Sequence, residues 1–595
     1  MFAHLTDHQR ERLTRALNLI TVICGVTALG LLVIMIGWPL SEAWQASAAA
    51  VTKTVLTIFV LQEALRFGLQ ANRRRYLRGR FLEATLAAAA GIELLAGETL
   101  LGWLGQYTPE LPASVLTVLY LAGAQLTLVL LVGLRALRRY SVLSSRRLSP
   151  GMVFILSFAL LITLGTLLLK TPQTTHGSGI GWVDAMFTAT SAVCVTGLTT
   201  LDTATAFTRH GQWIILGLIQ VGGLGVMTIT YFFAYFFAGG VSLRNRIALQ
   251  DLLSEENLGQ IGTVLGVIVG FTLLTELAGA ACIHAFLGAP ETTVDDPVFF
   301  SIFHSVSAFC NAGFSTLGAG LADPALQGRH GVFTVIMLLI VLGGIGFPVI
   351  KNAWLVLLAM LLRALGSDGG ARPRLTANSR VVLCTTGILL IGGAVLIWLT
   401  EFVFGQGQSN GAEWFTALFH SVTARTAGFN ITATGALLPA TAVIMMFLMF
   451  VGGSPASTAG GIKTSTLAVA VLAIRQILIG RNDLEAFGRR FSANTGDRAL
   501  AIILLVVGFI TLITISLCAL HPELSPADLT FEAVSAVSTV GLSRGITGQL
   551  GPLAKLVLIA AMFIGRIGVL LFLLSFIRKR AATGYRLPET SVVLT

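Results

Sequence analysis

Charge is scarce in this chain. Of its 595 residues only 11% are Asp, Glu, Lys or Arg, where a soluble domain carries about 25%. That shortage excludes a solvated surface over most of the length, and 55% of the residues are hydrophobic, with a mean hydropathy of +0.83. Cysteine is also sparse. Cys24, Cys194, Cys282, Cys310, Cys384 and Cys518 show no CxxC spacing and read as small residues inside apolar runs. No HExxH and no paired carboxylates within an apolar run occur, and Glu276 and Glu401 are lone acids. Without a nucleophile–base set the chain does not read as an enzyme. No nucleotide-binding sequence is found, and the polar start MFAHLTDHQRERLTR does not read as a cleavable leader.

What is abundant is apolar sequence. Twelve runs approach or exceed the ~20 residues that cross a bilayer. Four lie near 15–37, 47–70, 82–104 and 114–136. Eight more lie near 151–170, 212–238, 261–287, 331–362, 381–404, 438–475, 499–520 and 551–577. The net charge of +11 sits between these runs, in NRRRYLRGR (72–80), RALRRYSVLSSRR (135–147), SLRNR (242–246), the Arg363 to Arg380 stretch, 481–490 and IRKR (577–580). Twelve spans alternating from a cytoplasmic N-terminus put every basic cluster inside, as the positive-inside rule requires. The opposite connections, TPQTTHGSG, GAPETTVDDP, GQGQSNGAE and HPELSP, are polar or acidic. The partner implied by the basic residues is therefore membrane lipid, with no nucleic acid. The expected location is the cell membrane (a bacterial inner membrane).

Four segments between paired spans resemble one another: TATSAVCVTGLT (188–199), FHSVSAFCNAGFST (303–316), FHSVTARTAGFNIT (419–432) and FEAVSAVSTVGLSR (531–544). Each holds a glycine followed by Leu or Phe, at Gly197, Gly313, Gly428 and Gly541, which lie 116, 115 and 113 residues apart. A second echo follows each: VGGLG (221–225), LGGIG (342–346), VGGSP (451–455) and IGRIG (564–568). A fixed period signals a repeated architecture. Ser525-Pro526-Ala527-Asp528 and Asp296-Pro297 look like helix starts, as do Ser409 and Asn410 ahead of Glu413. The predicted helices run some 10 to 15 residues, too short to cross. Each unit is then span, half-crossing helix, glycine strand, span. Non-helical backbone at that depth is tolerated only where protein buries it or it lines a watery path.

Glycine adopts cheaply the backbone shapes that turn successive carbonyls to one axis. Carbonyl rings replace the water shell of a dehydrated cation. Four strands around a pseudo-fourfold axis would make such a ring, with the helix C-termini adding partial negative charge. The candidate ion-binding residues are Val195, Thr196, Gly197, Asn311, Ala312, Gly313, Thr426, Ala427, Gly428, Thr539, Val540 and Gly541. Because the strands differ beside the glycine, one or two good ion sites and modest selectivity are expected. Arg425 and Arg544 flank the third and fourth strands and read as braces. His304 and His420 share one place in two helices and read as hydrogen-bonding groups behind the strands rather than metal ligands.

SAVCVTGL, HSVTARTAGFN and GGSPASTAGGIKT resemble motifs of the Trk/Ktr/HKT superfamily of potassium transporters (TrkH/KtrB-like membrane subunits), over roughly residues 150 to 580. TVGL at Thr539 to Leu542 also resembles potassium-channel filter signatures. The resemblance implies an all-α polytopic fold of four fused membrane-pore-membrane repeats, with the glycine strands as selectivity filter and K+ as the metal ion carried. No organic cofactor is implied. In plant members a serine at the first glycine goes with sodium, and Gly197 favours potassium. GGSPASTAGGIKTS (452–465) interrupts a span, and eight of its residues are Gly, Pro or Ser. The resemblance makes it an intramembrane gate, built from Gly452, Gly453, Ser454, Ser457, Thr458, Gly460, Gly461 and Lys463. Lys463 could alternatively snorkel to the inner interface. Arg566, in IGRIG, matches a pore-facing arginine of the superfamily. Two roles stay open for it, a charge barrier and a hydrogen bond to loop carbonyls. The implied partners are a second copy, as homodimer, and cytosolic nucleotide-binding regulatory subunits of RCK/KTN type, with the basic inner loops as docking surface.

The expected domains are 1–150, a four-span bundle; 151–258, repeat 1; 259–379, repeat 2; 380–497, repeat 3 with the loop at 452–465; and 498–595, repeat 4 and a cytoplasmic tail. LQEALRFGLQANRRRYLRGRF (61–81), with Glu63 and Arg66, loosely resembles part of a voltage sensor. The 114–136 run carries no arginine before Arg135, with Arg138 and Arg139 past its end, so the bundle reads as an accessory with little gating charge. Two alternatives are a Na+ or non-selective monovalent cation transporter of the same fold, and a secondary transporter with a broken-helix substrate site. The latter would show two inverted halves rather than four copies in one orientation.

Overall fold

The computed structural model describes residues 7–38, 41–69, 91, 150–177, 179–238, 261–288, 294–365, 374–405, 413–480, 483–492 and 494–576. The expected spans near 82–104 and 114–136, with Arg135, Arg138 and Arg139, lie outside them, as do Arg244 to Arg246, Arg481, Ser409, Asn410 and the tail from 577.

The chain divides into two compact units. One holds Met1–Arg147, Leu164–Ala185 and Asp202–Ile215; the other holds Leu148–Thr163, Met186–Leu201 and Leu216–Thr595. In the first, α1 (Asp7–Gly37) packs along α2 (Glu42–Leu69). Buried Glu63 and Arg66 of α2 pair with each other at 3.5 Å, one helical turn apart. Gly37 lies against Thr171, and Thr175 bridges Phe207. Lys170 donates to the Ile180 carbonyl at 2.6 Å, 5.2 Å from the Trp182 ring.

Among its described residues the second unit is mostly helical. Its helices are most of α3 (Pro150–Leu169), α4 (Trp182–Val193) and α5 (Arg209–Ala238), then α6 (Ile261–Leu287), α7 (Pro297–Phe309), α8 (His330–Ile345) and α9 (Phe347–Ala364). After these come α10 (Ala377–Trp398), α11 (Glu413–Thr423), α12 (Pro439–Phe450), α13 (Thr464–Ile479), α14 (Thr495–Leu520), α15 (Pro526–Val537), α16 (Pro552–Ile567) and α17 (Val569–Phe576). A two-residue hairpin pairs Glu485–Ala486 with Arg489–Arg490 through Phe487 and Gly488, both at positive φ. Among the described residues four helices are long and apolar enough to cross a membrane. A multi-pass membrane protein follows from them. Phe300, Phe309, Phe333, Phe419 and Phe429 fill a core where α7, α8 and α11 meet. Burial of each is worth about 1.5–3 kcal/mol.

Two runs that read as continuous spans are broken. The 331–362 run stops at Gly346 (φ +88) and restarts as α9. Pro348 removes an N–H that the helix would need, and the glycine makes the turn. The 551–577 run bends by 88° at Gly568 (φ +90). Hydropathy registers neither break, because both halves are apolar. The helix starts divide as well. Asp296 caps α7 by accepting from Phe299 N at 3.0 Å. Ser525 makes no side-chain cap on α15, and Asp528 instead pairs with Arg544 at 2.6 Å.

Candidate functional site

The short helices α4, α7, α11 and α15 hold 12, 13, 11 and 12 residues, and each runs into one glycine segment. Past each helix end, a non-glycine residue takes positive φ: Val195 at 54°, Asn311 at 60°, Thr426 at 68° and Thr539 at 48°. Two residues on, Gly197, Gly313, Gly428 and Gly541 take 91°, 69°, 81° and 96°. Such conformations cost about 1–3 kcal/mol in a β-branched residue and persist only where the surroundings dictate them. Here the residue between bonds back into its helix. Thr196 N donates to Ser191 O at 2.7 Å, Ala312 N to Ser307 O at 2.7 Å, Ala427 N to Thr423 O at 3.0 Å and Val540 N to Ser535 O at 2.8 Å.

The four segments adjoin one another in cyclic order. A Cβ placed on Gly197 would strike the Ala312 carbonyl, and one on Gly313 the Ala427 carbonyl. A Cβ on Gly428 would strike the Val540 carbonyl, and one on Gly541 the Thr196 carbonyl, which closes the cycle. All twelve expected filter residues are thus brought together. The Thr196, Thr426 and Thr539 hydroxyls are buried there without a hydrogen-bond partner among the described residues.

The second, third and fourth strands are also tied to their helices by a side chain at one shared place, where the first has Thr188, whose hydroxyl has no partner among the described residues. Nine residues before the glycine stand Thr188, His304 and Glu532; His420 stands eight before. His304 Nδ1 lies 2.9 Å from the Phe300 carbonyl, so Nδ1 carries the proton and Nε2 accepts from the Ser315 hydroxyl at 2.9 Å. His420 Nε2 lies 2.8 Å from the Thr432 hydroxyl. Glu532 accepts from Ser543 Oγ at 2.5 Å, Thr547 Oγ1 at 2.8 Å and Arg544 N at 3.2 Å. Both histidines are thus occupied with hydroxyls. Arg544 also donates to Gly435 O at 3.1 Å. Beyond the first strand, in the other unit, Asp202 caps a short turn by accepting from Ala204 N at 2.7 Å, and its partial burial raises the carboxyl above the usual range.

The second echo has a packing reason that the sequence left unstated. A Cβ on Gly222 would strike the Val193 carbonyl, on Gly343 the Phe309 carbonyl and on Gly565 the Val537 carbonyl. Each carbonyl belongs to the last residue of a short helix. Only glycine lets the following long helix pass so close. The third copy differs. Its segment is one residue shorter, and Gly452 lies against Gly460 instead. There Arg425, buried and directly before Thr426, donates from Nη2 to the Gly452 carbonyl at 2.8 Å.

Between α12 and α13 the chain leaves the helix. Val451 and Ile462 form a parallel bridge, and Ala456 and Gly461 take positive φ. The loop is seated on the break in α8: Ser454 N donates to Gly344 O at 2.9 Å, and the Ser454 hydroxyl donates to Ile345 O. Thr458 N reaches Gly343 O at 3.3 Å and its hydroxyl Phe309 O at 3.2 Å. Ser457 donates to Ser454 O at 2.7 Å. Gly460 lies against Ser538 and Thr539, and Gly453 against Gly344. Lys463 folds back, donating to Ala459 O at 2.7 Å, so its ammonium serves the loop. Arg566, also buried, donates from Nη1 to Thr458 O at 2.6 Å, while its Nε and Nη2 have no partner among the described residues.

Long apolar helices, half-length helices and strained glycine strands together describe a membrane transport protein. The family described as "TrkH: Cation transport protein" matches residues 131–582. The chain belongs to that family. It is 36% identical over 462 residues to the potassium/sodium uptake protein NtpJ of Enterococcus hirae, covering 76% of this chain and 98% of that one. It is 32% identical over 467 residues to Ktr system potassium uptake protein B of Bacillus subtilis, covering 77% and 99%. Its fold is similar to the crystal structure of the potassium transporter TrkH from Vibrio parahaemolyticus, at TM-score 0.58 and 17% identity over 89% of this chain and 98% of that one.

Proposed function

We propose that the chain carries K+ across a cell membrane, through a ring of main-chain carbonyls contributed by four fused membrane-pore-membrane repeats in pseudo-fourfold array. The closed cycle of approaches from Gly197 to Gly313, Gly428, Gly541 and back is the observation that carries this reading. A cation entering the ring exchanges water oxygens for carbonyl oxygens of Val195-Thr196-Gly197 and its three counterparts. The short helices aim their C-terminal partial charge at the same place. The unpartnered hydroxyls of Thr196, Thr426 and Thr539 are spare oxygen ligands for an ion or its water. Unequal strands fit one or two ion sites and modest preference for K+ over Na+. The name of the Enterococcus relative, a potassium/sodium uptake protein, keeps Na+ as a second cargo to be tested.

The loop from Gly452 to Lys463 is the gate in this reading. Arg566 holds it through Thr458 and sets a positive charge beside it, so both roles weighed for this arginine act together. The division into an N-terminal bundle (1–150) and repeats over 151–258, 259–379, 380–497 and 498–595 belongs to the same proposal. So do an inner-membrane location with the N-terminus cytoplasmic, a homodimer, and cytosolic nucleotide-binding regulatory subunits. Names of relatives that specify a Ktr "system" agree with additional subunits. The test is ion flux into proteoliposomes with K+, Na+ and Rb+ compared, with and without a proton gradient. Saturable K+ uptake that exceeds Na+ uptake is expected. Equal leakage of all three ions from empty and protein-bearing vesicles refutes the proposal.

A further inference from the structure

We infer that Arg425 is a releasable latch that makes the gate loop and the third filter strand move together, so that opening the gate also changes how well that strand discriminates between ions. The inference rests on the filter-and-gate reading above and adds a positioning residue to it. Its basis is a departure from the repeat. At the first, second and fourth copies, the long helix touches the short helix's last carbonyl through a glycine, Gly222 on Val193, Gly343 on Phe309 and Gly565 on Val537. Those are backbone-on-backbone contacts, and neither side can leave without moving a whole helix. The third copy is one residue shorter between His420 and its glycine, Gly428, than the second is between His304 and Gly313. There no such glycine-on-carbonyl contact is made, and Arg425 Nη2 instead donates to Gly452 O at 2.8 Å.

Both ends of that bond lie at working parts. Arg425 directly precedes Thr426, which is held at φ +68 and opens the third strand. Gly452 is the first residue of the loop, and a Cβ on it would stand 3.1 Å from Thr426 Cγ2. If the loop departs, the guanidinium loses its acceptor. Its Nε already has no partner among the described residues, so no existing bond holds it in place. The cleft beside Arg425, lined by Ile340, Gly344, Thr386, Leu390, Val422 and Gly453, has a volume of about 20 Å³, room for one water, so the guanidinium can swing only into space that the departing loop vacates. Once the side chain is unanchored, the peptide into Thr426, held at φ +68, is free to relax, and with it the strand. A hydrogen bond from a charged donor is strong enough to bias the closed state by about tenfold to a hundredfold.

The experiment uses the full chain in proteoliposomes. K+ and Na+ flux are measured for Arg425→Gln and Arg425→Lys, each with the loop intact and with Ser454 to Gly460 deleted. With the loop intact, Arg425→Gln is expected to raise unstimulated K+ flux about tenfold and to lower the K+/Na+ ratio together with it. Arg425→Lys, which keeps a cation but not the planar fork, should shift both in the same direction by less. In the loop-deleted chain neither substitution should change the ratio. A ratio change of equal size with and without the loop would make Arg425 a fixed brace and overturn the latch. So would a flux change at constant ratio. Should Arg425→Gln not yield folded protein by gel filtration, Arg425→Lys carries the comparison alone, and no shift in either readout overturns the inference. Absence of K+ flux in the unsubstituted chain strikes the underlying transport reading instead, and is seen before any variant is made.

Discussion

Replacing Gly541 by alanine tests the carbonyl ring at its tightest point. The residue sits at φ +96, well beyond the left-handed well near +57. Holding an L-residue there costs about 1–3 kcal/mol. The added methyl would stand 2.2 Å from the Thr196 carbonyl oxygen, where 3.0 Å is the floor for real Cβ contacts, so about 0.8 Å of movement is needed. The obstacle is backbone, not a side chain that could swing aside. The first and fourth strands must part, and Thr196 O is one of the oxygens that would face the ion. Gly313 is the mildest of the four positions, at φ +69 and 2.7 Å from Ala427 O. Gly197 and Gly428 are intermediate, both at 2.4 Å. If about 1.5–3 kcal/mol of ion stabilisation is lost, K+ flux through Gly541→Ala falls by about 10- to 150-fold. Gly313→Ala should lose only a few-fold. Rb+ uptake into proteoliposomes measures the order, with thermal melting in detergent to show that each variant is folded. Wild-type flux in a folded Gly541→Ala chain, or a greater loss at Gly313 than at Gly541, refutes the reasoning.

Arg566→Ala removes the bond to Thr458 O and the charge beside it, and should raise unstimulated K+ flux; unchanged flux in the liposome assay takes Arg566 out of the gate. Glu532→Ala leaves Ser543, Thr547 and Arg544 N without their buried acceptor, a loss of about 2–4 kcal/mol. A melting temperature lowered by several degrees is expected, with a smaller drop for Glu532→Gln; an unchanged melt for both refutes the tether. Gly343→Ala drives a methyl into the Phe309 carbonyl and should abolish folded yield or strongly depress melting. Gly387→Ala, with no atom within 4 Å of the added methyl, serves as control and should melt at or slightly above the parent. Equal behaviour of the two would show that the helix approach is not as tight as described.

Much of the site was legible because its elements repeat. Four glycines at nearly one spacing located the strands, and the density of Gly, Pro and Ser at 452–465 located the loop. Asp296-Pro297 located the start of α7. What stayed hidden was of two kinds. Gly346 and Gly568 break their helices where hydropathy runs on undisturbed, and only the backbone reveals a turn between two apolar halves. The other kind is relational. Ser525 looks like a cap, yet Arg544 claims Asp528 from sixteen residues away, and no local rule anticipates that pairing. The single missing residue between His420 and Gly428 was present in the sequence throughout. It acquires meaning only when Gly222, Gly343 and Gly565 are seen pressed on helix ends and Gly452 is not.

That shortened segment bears on why such a pathway benefits from being written in one polypeptide. A channel assembled from four identical subunits must apply any deletion, arginine or helix break at all four positions at once. In the proposed fourfold reading the third repeat alone carries the shortened segment and Arg425, the fourth alone carries Arg566, and the first and second have Cys194 and Cys310 at the place of Arg425. Division of labour among quadrants is open to a fused chain and closed to a symmetric assembly.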